Sequence, residues 1–561
     1  MRGFTLIEIL VVTATLAVVL GISLPFVLSS KFKTDINVTA DNLISMLKEA
    51  QSLAVAGEGD TPYGVYFDTT AKTYTIFRGA SYASRDTAYN AGNYNIFSLP
   101  PSAEFLSDTS ASAVTNLSSK LPGSWSGLDL SALVQDPSGN VYVGGTQAKL
   151  GRYNPTTDTF TDLSSKIASF WTLDGTPTGA LRGISALTFD TVNNTLYIGG
   201  GRPTPSLDAL FASCNVSSCM NGVSNADNLT SKIVPHFSGG GGFSGVNSTV
   251  FDPIDQVVYI GGSTGANARL AKCPVGPGKC SDVAASGVKA DDLTPKLVTS
   301  PSYTFIDASY SNGTPIRSLA LDIAGRVLYV GGGGYGTDSV GFAKCPIGTG
   351  QCADVTSGSL AIKLTARIDP VWTDSPVHVR SMVFNSQSRE LYLGGASGAG
   401  GGYEGFAKCD VGCLNNTSDA ISINSKINSI WGATVPLVQA MSFNPLSGAL
   451  YVAGGTDGSS MRVAKCDAAS CINGASNATN LSAIFPFWSS TNSIKAMASC
   501  ALYIAGQGGN FAKYDVLPQE IIFSRLTGKP LNSCGGDIKV TLTAADVGSK
   551  TITLTPDGLI Y

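Results

Sequence analysis

Charged residues make up 14% of the 561-residue chain, well below the roughly 25% of an average soluble protein, and its 64 glycines are numerous. This composition argues against a cytosolic enzyme, while a hydrophobic fraction of 43% excludes disorder along the whole chain. A formal net charge of -4 gives no electrostatic footprint for nucleic acid, and only two histidines are present, His236 and His378. We therefore expect no nucleic-acid partner, no metal and no cofactor.

The first predicted element is a long apolar helix behind a three-residue leader, residues 1–3. From Phe4 to Leu28 the only charged residue is Glu8. The run is long enough for a membrane-spanning helix, which needs roughly 20 apolar residues. A carboxylate within such a span is costly and marks a functional position. Apolar residues at three- and four-residue steps then extend the helix, so that the predicted spine covers residues 4–57.

The sequence Gly3-Phe-Thr-Leu-Ile-Glu8 at the start of this helix resembles the class III signal of type IV pilins and pseudopilins. The resemblance implies that a prepilin peptidase cleaves between Gly3 and Phe4 and methylates the new amine of Phe4. Glu8 would then pair with the Phe4 amine of a neighbouring pilin or pseudopilin subunit, which gives each buried charge a partner. Pro25 lies where many members of the family kink the helix. The short leader is a departure from the family, and a plain signal anchor is the alternative.

Strand-like segments follow at residues 58–112 and return at residues 517–561, where turn residues bound them. Residues 1–108 and 517–561 resemble the minor pseudopilin H of type II secretion and related minor pilins. That resemblance implies an α+β pilin fold, in which a long N-terminal α-helix packs on an antiparallel β-sheet. It also implies that the two segments form one head, divided by the residues between them.

Between the two head segments, one pattern of an aliphatic residue, tyrosine and glycines occurs seven times. Each copy belongs to a unit with four strand-like pieces, as a propeller blade requires. We therefore predict an inserted all-β seven-bladed propeller over residues 113–516. The anchoring tyrosines are Tyr142, Tyr197, Tyr259, Tyr329, Tyr392, Tyr451 and Tyr503.

The ends of this repeat predict how the ring closes. Thr115-Asn-Leu-Ser-Ser-Lys120 matches the fourth piece of a unit but precedes the first complete unit, whereas the seventh unit lacks a fourth piece. An N-terminal strand should therefore complete the last blade and bring residues 115 and 515 together. The whole ring could then sit within one loop of the head.

Ten of the twelve cysteines form close pairs at the same place in successive units, which favours disulfides in an oxidising compartment. Zinc is the competing interpretation, but one pair per blade cannot supply four ligands. Cys500 and Cys534 remain as a candidate bridge between the propeller and the C-terminal strands. The close pairs are Cys214/Cys219, Cys273/Cys280, Cys345/Cys352, Cys409/Cys413 and Cys466/Cys471.

We find no catalytic residues: the sequence contains no nucleophile elbow, phosphate loop or metalloprotease motif. Asp190, Asp252 and Asp322 each precede a hairpin turn and are predicted to form turns rather than to bind calcium. The two histidines are predicted to be structural. The inter-blade loops at residues 299–314 and 396–404 are rich in Tyr, Ser and Gly, which suits adaptable recognition.

These patterns predict a non-enzymatic, minor pilin-like subunit that displays a propeller for extracellular binding or adhesion. Its expected partners are other pilin or pseudopilin subunits, a prepilin peptidase and an unidentified extracellular ligand. Before assembly it would be a single-pass protein of the inner membrane, and afterwards part of an extracellular pilus or a periplasmic pseudopilus. The alternatives are a pseudopilin of the type II secretion machinery and a propeller enzyme acting on glycans.

Overall fold

The computed structural model divides the chain into two compact units. One, here called the stem unit, comprises Met1–Ala113 and Asp515–Tyr561; the other, the propeller unit, comprises Val114–Tyr514. The structure describes residues 6–561 apart from residues 70, 81, 83–84, 90–94, 106–113, 172–182, 203–208, 238–243, 265–266, 298–314, 334–339, 369, 371, 373–376, 398–403, 432–436, 445–446, 457–459, 489–492, 499–501, 515–519, 526, 528, 531–537, 545–547 and 556–557.

The stem unit holds one long helix and two small antiparallel sheets. Its first sheet has the order β3-β2-β1-β33 and its second the order β35-β34-β4, so each combines strands from before and after the propeller. The elements are α1 (Leu6–Ala56), β1 (Tyr63–Asp68), β2 (Thr73–Arg78), β3 (Ile96–Ser98), β4 (Glu104–Phe105), β33 (Glu520–Phe523), β34 (Ile538–Ala544) and β35 (Gly548–Leu554).

The second half of α1 is amphipathic, as its apolar spacing predicts. Ala40, Leu43 and Leu47 are fully buried on the face of α1 that contacts β1, β34 and β35. Gln51 on the same helix donates a hydrogen bond from Nε2 to the carbonyl of Gly558 at 2.9 Å. These contacts fix the helix onto the last strands of the chain.

Within the part of the chain that the structure describes, no helix carries a stretch long and apolar enough to cross a membrane.

The propeller unit contains seven four-stranded antiparallel blades, of which the second and third join into one sheet through β11 and β14. The strands are β5 (Val114–Asn116), β6 (Leu130–Gln135), β7 (Val141–Gly145), β8 (Lys149–Asn154), β9 (Thr159–Asp162), β10 (Gly183–Asp190), β11 (Thr195–Arg202), β12 (Leu210–Asn215), β13 (Asp227–Asn228), β14 (Ser244–Asp252), β15 (Val257–Thr264), β16 (Asn267–Pro274), β17 (Asp291–Asp292), β18 (Ile316–Asp322), β19 (Val327–Gly333), β20 (Val340–Pro346), β21 (Ile362–Lys363), β22 (Val377–Asn385), β23 (Glu390–Ser397), β24 (Glu404–Cys409), β25 (Ile421–Ser422), β26 (Leu437–Asn444), β27 (Ala449–Thr456), β28 (Ser460–Asp467), β29 (Thr479–Asn480), β30 (Ile494–Ala498), β31 (Leu502–Gly506) and β32 (Phe511–Tyr514). Short helices α2 (Thr230–Phe237), α3 (Thr365–Ile368) and α5 (Asn424–Trp431) follow blades, and α4 (Val411–Leu414) lies between β24 and β25 of the fifth blade.

The expected α+β pilin class is wrong for this chain. The structure is 46% strand and 21% helix, and α1 is the one long helix among the described residues. The α+β prediction rested on the N-terminal sequence motif, which describes the stem unit and not the chain as a whole. The chain is mainly β because the propeller, from Val114 to Tyr514, supplies most of its ordered backbone.

The glycines of the repeated motif are explained by close approach of backbone and side chains. A Cβ on the first glycine would meet the first strand of the next blade, as at Gly199, where it would lie 2.4 Å from Val246 Cγ1. A Cβ on the second would strike a carbonyl of its own blade, as at Gly262, where it would lie 2.0 Å from the oxygen of Gly245. One glycine therefore allows blades to pack together, and the other allows the first strand to pack against the second.

We predict that Gly262→Ala destabilises the protein by about 1–3 kcal/mol, the usual effect of overpacking, because backbone atoms cannot move aside easily. The control is Gly287→Ala, at an exposed glycine with no atom within 4 Å of its Cβ position. Urea unfolding of both variants measures the difference. Equal stability of the two variants would contradict this account of the motif.

The disulfide loop of one blade contacts a lysine of the preceding blade. Lys166 of the first blade donates from Nζ to the carbonyl of Gly222, 2.8 Å away in the loop of the second blade. Lys426 of the fifth blade reaches the carbonyl of Gly474 in the sixth at 2.7 Å. Equivalent lysine contacts to the loop of the next blade are made by Lys232, Lys272, Lys296, Lys344 and Lys408. Each disulfide thus shapes a loop that a neighbouring blade holds.

The ring closes as predicted. Strand β5 pairs with β32, with Val114 opposite Tyr514 and Asn116 opposite Ala512. The next residue, Leu117, is fully buried and donates its backbone N–H to the carbonyl of Phe511 at 2.9 Å. The last blade is therefore completed by residues that precede the first blade.

Expressed alone, residues 113–516 should fold as a soluble monomer with one cooperative unfolding transition. A version that begins at residue 121 lacks β5 and leaves the edge of β32 unpaired, so we expect it to aggregate or to melt at lower temperature. Differential scanning calorimetry and gel filtration of the two versions test this. Identical melting and monomeric behaviour of both would show that β5 does not close the ring.

Candidate binding site in the propeller channel

The first strands of the seven blades form the inner wall of the ring. Each contacts the first strand of the next blade, and the seventh contacts the first again. These strands are β6, β10, β14, β18, β22, β26 and β30. Because the cycle is closed, side chains that leave these strands toward the axis come together from all sides.

A β-bulge occurs at the same place in each of these first strands. The pairing with the second strand skips one residue, and a bulge of this kind re-aims the side chain of the skipped residue. All seven skipped residues are polar, although the residues around them are mostly apolar or small. They are Ser131, Ser185, Asn247, Arg317, Arg380, Gln439 and Lys495, here called the bulge ring.

In the first three blades the bulge residue bridges to the next blade. Ser131 and Ser185 each donate a hydroxyl hydrogen bond of 2.6 Å to a backbone carbonyl of the following first strand. Asn247 does the same through Nδ2 at 3.0 Å, to the carbonyl of Ile316. On this side of the ring the polar groups serve to join blades.

The other side of the bulge ring is cationic. Arg317 and Arg380 occupy the bulge position of the fourth and fifth blades, and Lys495 that of the seventh. A cavity of about 210 Å³ lies within the ring and is lined by residues of six first strands, among them Gln439 and Lys495. Among the described residues that line this cavity, none is acidic. Of the three cations, Lys495 is among the described residues that line the cavity, whereas Arg317 and Arg380 are not, although Ser381, next to Arg380, is. The bulge ring therefore carries its cations on one side and neutral polar groups on the other.

Burial and the positive charges of Arg317 and Arg380 affect the pKa of His378, which lies near the start of β22. Its side chain is fully buried. Burial, together with the nearby guanidinium groups of Arg317 and Arg380, lowers the pKa of His378 to about 4. The histidine is therefore neutral at physiological pH, and the potential at this point of the ring is positive.

This lowered pKa predicts a loss of stability in mild acid. The unfolded state takes up a proton near the ordinary pKa of 6.5, whereas the folded state stays neutral down to about 4, so stability falls as the pH falls between these values. The full effect is about 3 kcal/mol. Urea unfolding between pH 7.5 and 4 should show a smaller decline for His378→Gln than for the native sequence. Parallel curves for the two proteins would refute the assignment.

The five predicted close disulfides are confirmed: Cys214–Cys219, Cys273–Cys280, Cys345–Cys352, Cys409–Cys413 and Cys466–Cys471. Because these ten sulfurs bond to one another, the zinc alternative is excluded for them. Cys500 and Cys534 lie outside the described residues, and their pairing stays a prediction.

The N-terminal positions stay predictions as well. Gly3 and Phe4 lie outside the described residues. Glu8 falls within α1, but its side chain is not among those described. The helix passes position 25 without a break, and a kink at Pro25 remains an expectation.

The aspartates before the hairpins form turns, as predicted. The Asp190 carboxylate accepts backbone hydrogen bonds from Val192 and Asn193 at 2.9 and 2.8 Å. Asp252 and Asp322 accept equivalent backbone bonds, and each also pairs with an arginine of the next blade. Their carboxylates are therefore engaged within the fold.

His236 is structural, as predicted, since its Nε2 lies 2.8 Å from the carbonyl oxygen of Ala290 in the next blade. The two inter-blade loops proposed for recognition fall largely outside the described residues, at 298–314 and 398–403.

Sequence reasoning missed the bulge ring, although a signal for it exists. In blades two to six a polar residue stands at a fixed distance before the anchoring tyrosine, as in Ser185 before Tyr197 and Arg380 before Tyr392. A polar residue followed by a small one and an aliphatic one resembles an ordinary alternating strand. Only the skipped pairing shows that these side chains share one position around the axis.

No family model and no curated protein matches the chain in sequence. Among solved structures, it is similar to a chain of a mitotic checkpoint complex, with 11% identity and a TM-score of 0.43 over 73% of this chain and 95% of that one. The Cps50 (Swd1) β-propeller domain of Myceliophteria thermophila gives 8% identity and a TM-score of 0.39, over 69% and 97%. The GH74 enzyme of Niastella koreensis gives 15% and 0.44, over 77% and 64%.

At these identities and TM-scores the similarities carry no functional argument. The strand pairing of the chain itself defines a β-propeller protein, and the five disulfides among the described residues indicate an oxidising compartment outside the cytoplasm.

Proposed function

We propose that this chain is a minor, pilin-like filament subunit that displays its propeller outside the cytoplasm for binding or adhesion. The observation that carries the proposal is the segment Gly3-Phe-Thr-Leu-Ile-Glu8, which resembles a class III prepilin signal and leads directly into α1. In this proposal a prepilin peptidase cleaves before Phe4, the apolar helix holds the subunit in the inner membrane, and Glu8 pairs with a neighbouring subunit during assembly.

The way in which the propeller enters the chain supports display. Val114 and Tyr514, at the two ends of the propeller unit, are paired neighbours in one blade. In the stem unit, β1 from before the propeller pairs with β33 from after it, with Tyr63 opposite Phe523. Because the two ends of the propeller are adjacent, its insertion does not separate β1 from β33. A binding domain that is displayed on the stem unit has to leave the sheet of that unit intact in this way.

A binding role fits the propeller better than catalysis does. The cavity lining contains serine, asparagine, glutamine and lysine side chains, whereas glycan hydrolysis commonly requires a pair of carboxylates. The disulfide loops support a rigid domain that works in an oxidising environment. We therefore propose recognition of an extracellular ligand, with other subunits of the filament as the assembly partners.

The proposal is tested by substituting Glu8. Glu8→Ala should leave membrane insertion intact but remove the protein from sheared filaments, because the buried amine of the neighbouring subunit would lose its partner. The matched control is Glu49→Ala, which removes an exposed glutamate from the same helix. Immunoblots of membrane and filament fractions measure both variants. Incorporation of Glu8→Ala at the level of the control would refute the assembly role.

A further inference from the structure

The bulge ring concentrates cations where the fold provides few other charges. Arg317, Arg380 and Lys495 stand at the equivalent position of three first strands, and the remaining four bulge residues are neutral. Only 14% of the whole chain is charged, so three cations at one repeated position are a marked departure from its composition. Like charges held close to one axis repel one another, and a bound anion relieves that repulsion.

Two polar atoms on the cationic side lack a partner. Nε of Arg380, a donor, and Oε1 of Gln439, an acceptor, are buried, and neither has a hydrogen-bond partner among the residues that the structure describes. In contrast, Ser131, Ser185 and Asn247 give donors to neighbouring blades. The two sides of the ring therefore differ in role as well as in charge: one joins blades, and the other holds an unpartnered donor at Arg380.

We infer that the channel of the propeller binds the carboxylate or sulfate group of an anionic ligand at Lys495, which lines the cavity, with Arg380, the neighbour of the lining residue Ser381, as the second cation. A guanidinium presents paired N–H groups that match two oxygens of such a group. Ser131, Ser185 and Asn247 line the opposite wall with polar atoms. The cavity of about 210 Å³ is smaller than a typical drug-sized pocket and suits one small acidic group.

The low pKa of His378 agrees with this site: burial is its main cause, and the positive charges of Arg317 and Arg380 lower it in the same direction. The inference deepens the proposed function, since it names the chemistry that the displayed propeller would recognise. The inference rests on the proposed function only for the place where the ligand is met, which is outside the cytoplasm.

The test is isothermal titration calorimetry of the full-length protein with galacturonate, with the neutral isostere galactose and with inorganic sulfate. We expect galacturonate to bind and galactose not to bind. Competition by sulfate would identify a general oxyanion site, whereas no competition would identify a carboxylate site; both support the inference. If none of the three probes binds, or if galactose binds as well as galacturonate, the inference is wrong.

Variants locate the site. Arg380→Gln and Lys495→Gln should each weaken galacturonate binding at least tenfold, whereas Lys279→Gln, at an exposed loop cation, should leave it unchanged. Unchanged binding in both channel variants would overturn the assignment. Circular dichroism and the melting temperature verify that each variant is folded, and two separate channel variants guard against misfolding of one.

Filament assembly separates this inference from the proposed function. Lys495→Gln should enter filaments normally, and Glu8→Ala should still bind galacturonate. If the native protein enters filaments but binds no anion, the inference about the channel is wrong. If it binds the anion but does not enter filaments, the proposed function is wrong.

Discussion

The pairing of β5 with β32 is the interaction on which the rest of the propeller depends. Seven blades form a ring only if the last one contacts the first, and here Val114 opposite Tyr514 supplies the missing fourth strand. Without that pair β32 would present an unpaired edge, and the last blade would have three strands. Because β5 comes from the N-terminal end of the propeller unit and β32 from its C-terminal end, their pairing also places the two ends of this unit side by side. The domain can therefore be inserted between β4 and β33 while strands from before and after it still pair in both sheets of the stem unit.

Around this closed ring, the blades are joined by contacts that repeat with the sequence. In the first five motifs the first glycine lets the next blade approach, and lysines such as Lys166 bind the disulfide loop of the blade that follows. A loop of so few residues gives a modest gain in the chain-entropy model, less than the roughly 3 kcal/mol of a 15-residue loop. The larger contribution of the disulfides is that they fix the carbonyls that the lysines bind.

Much of the propeller could be predicted from sequence because its signals are local and repeated. The tyrosine–glycine motif, the cysteine pairs and the displaced fourth piece at Thr115–Lys120 each mark one strand or turn, and seven copies fix the register. The α+β class failed for a different reason, since a strong motif at Gly3–Glu8 says little about the bulk of the chain. The bulge ring could not be predicted because its residues, such as Asn247 and Lys495, differ in type and share only a position that strand pairing creates.

A propeller with disulfides in five of its blades and a long helix belong to one chain, and we propose that the propeller is displayed on a filament. Immunogold labelling with antibodies against residues 113–516, on cells with intact and with sheared filaments, measures the location of the propeller directly. We predict gold particles on filaments, at their tips or along their shafts, and loss of label after shearing. Label confined to the cell envelope, and unchanged by shearing, would contradict display and favour a component of a secretion machine.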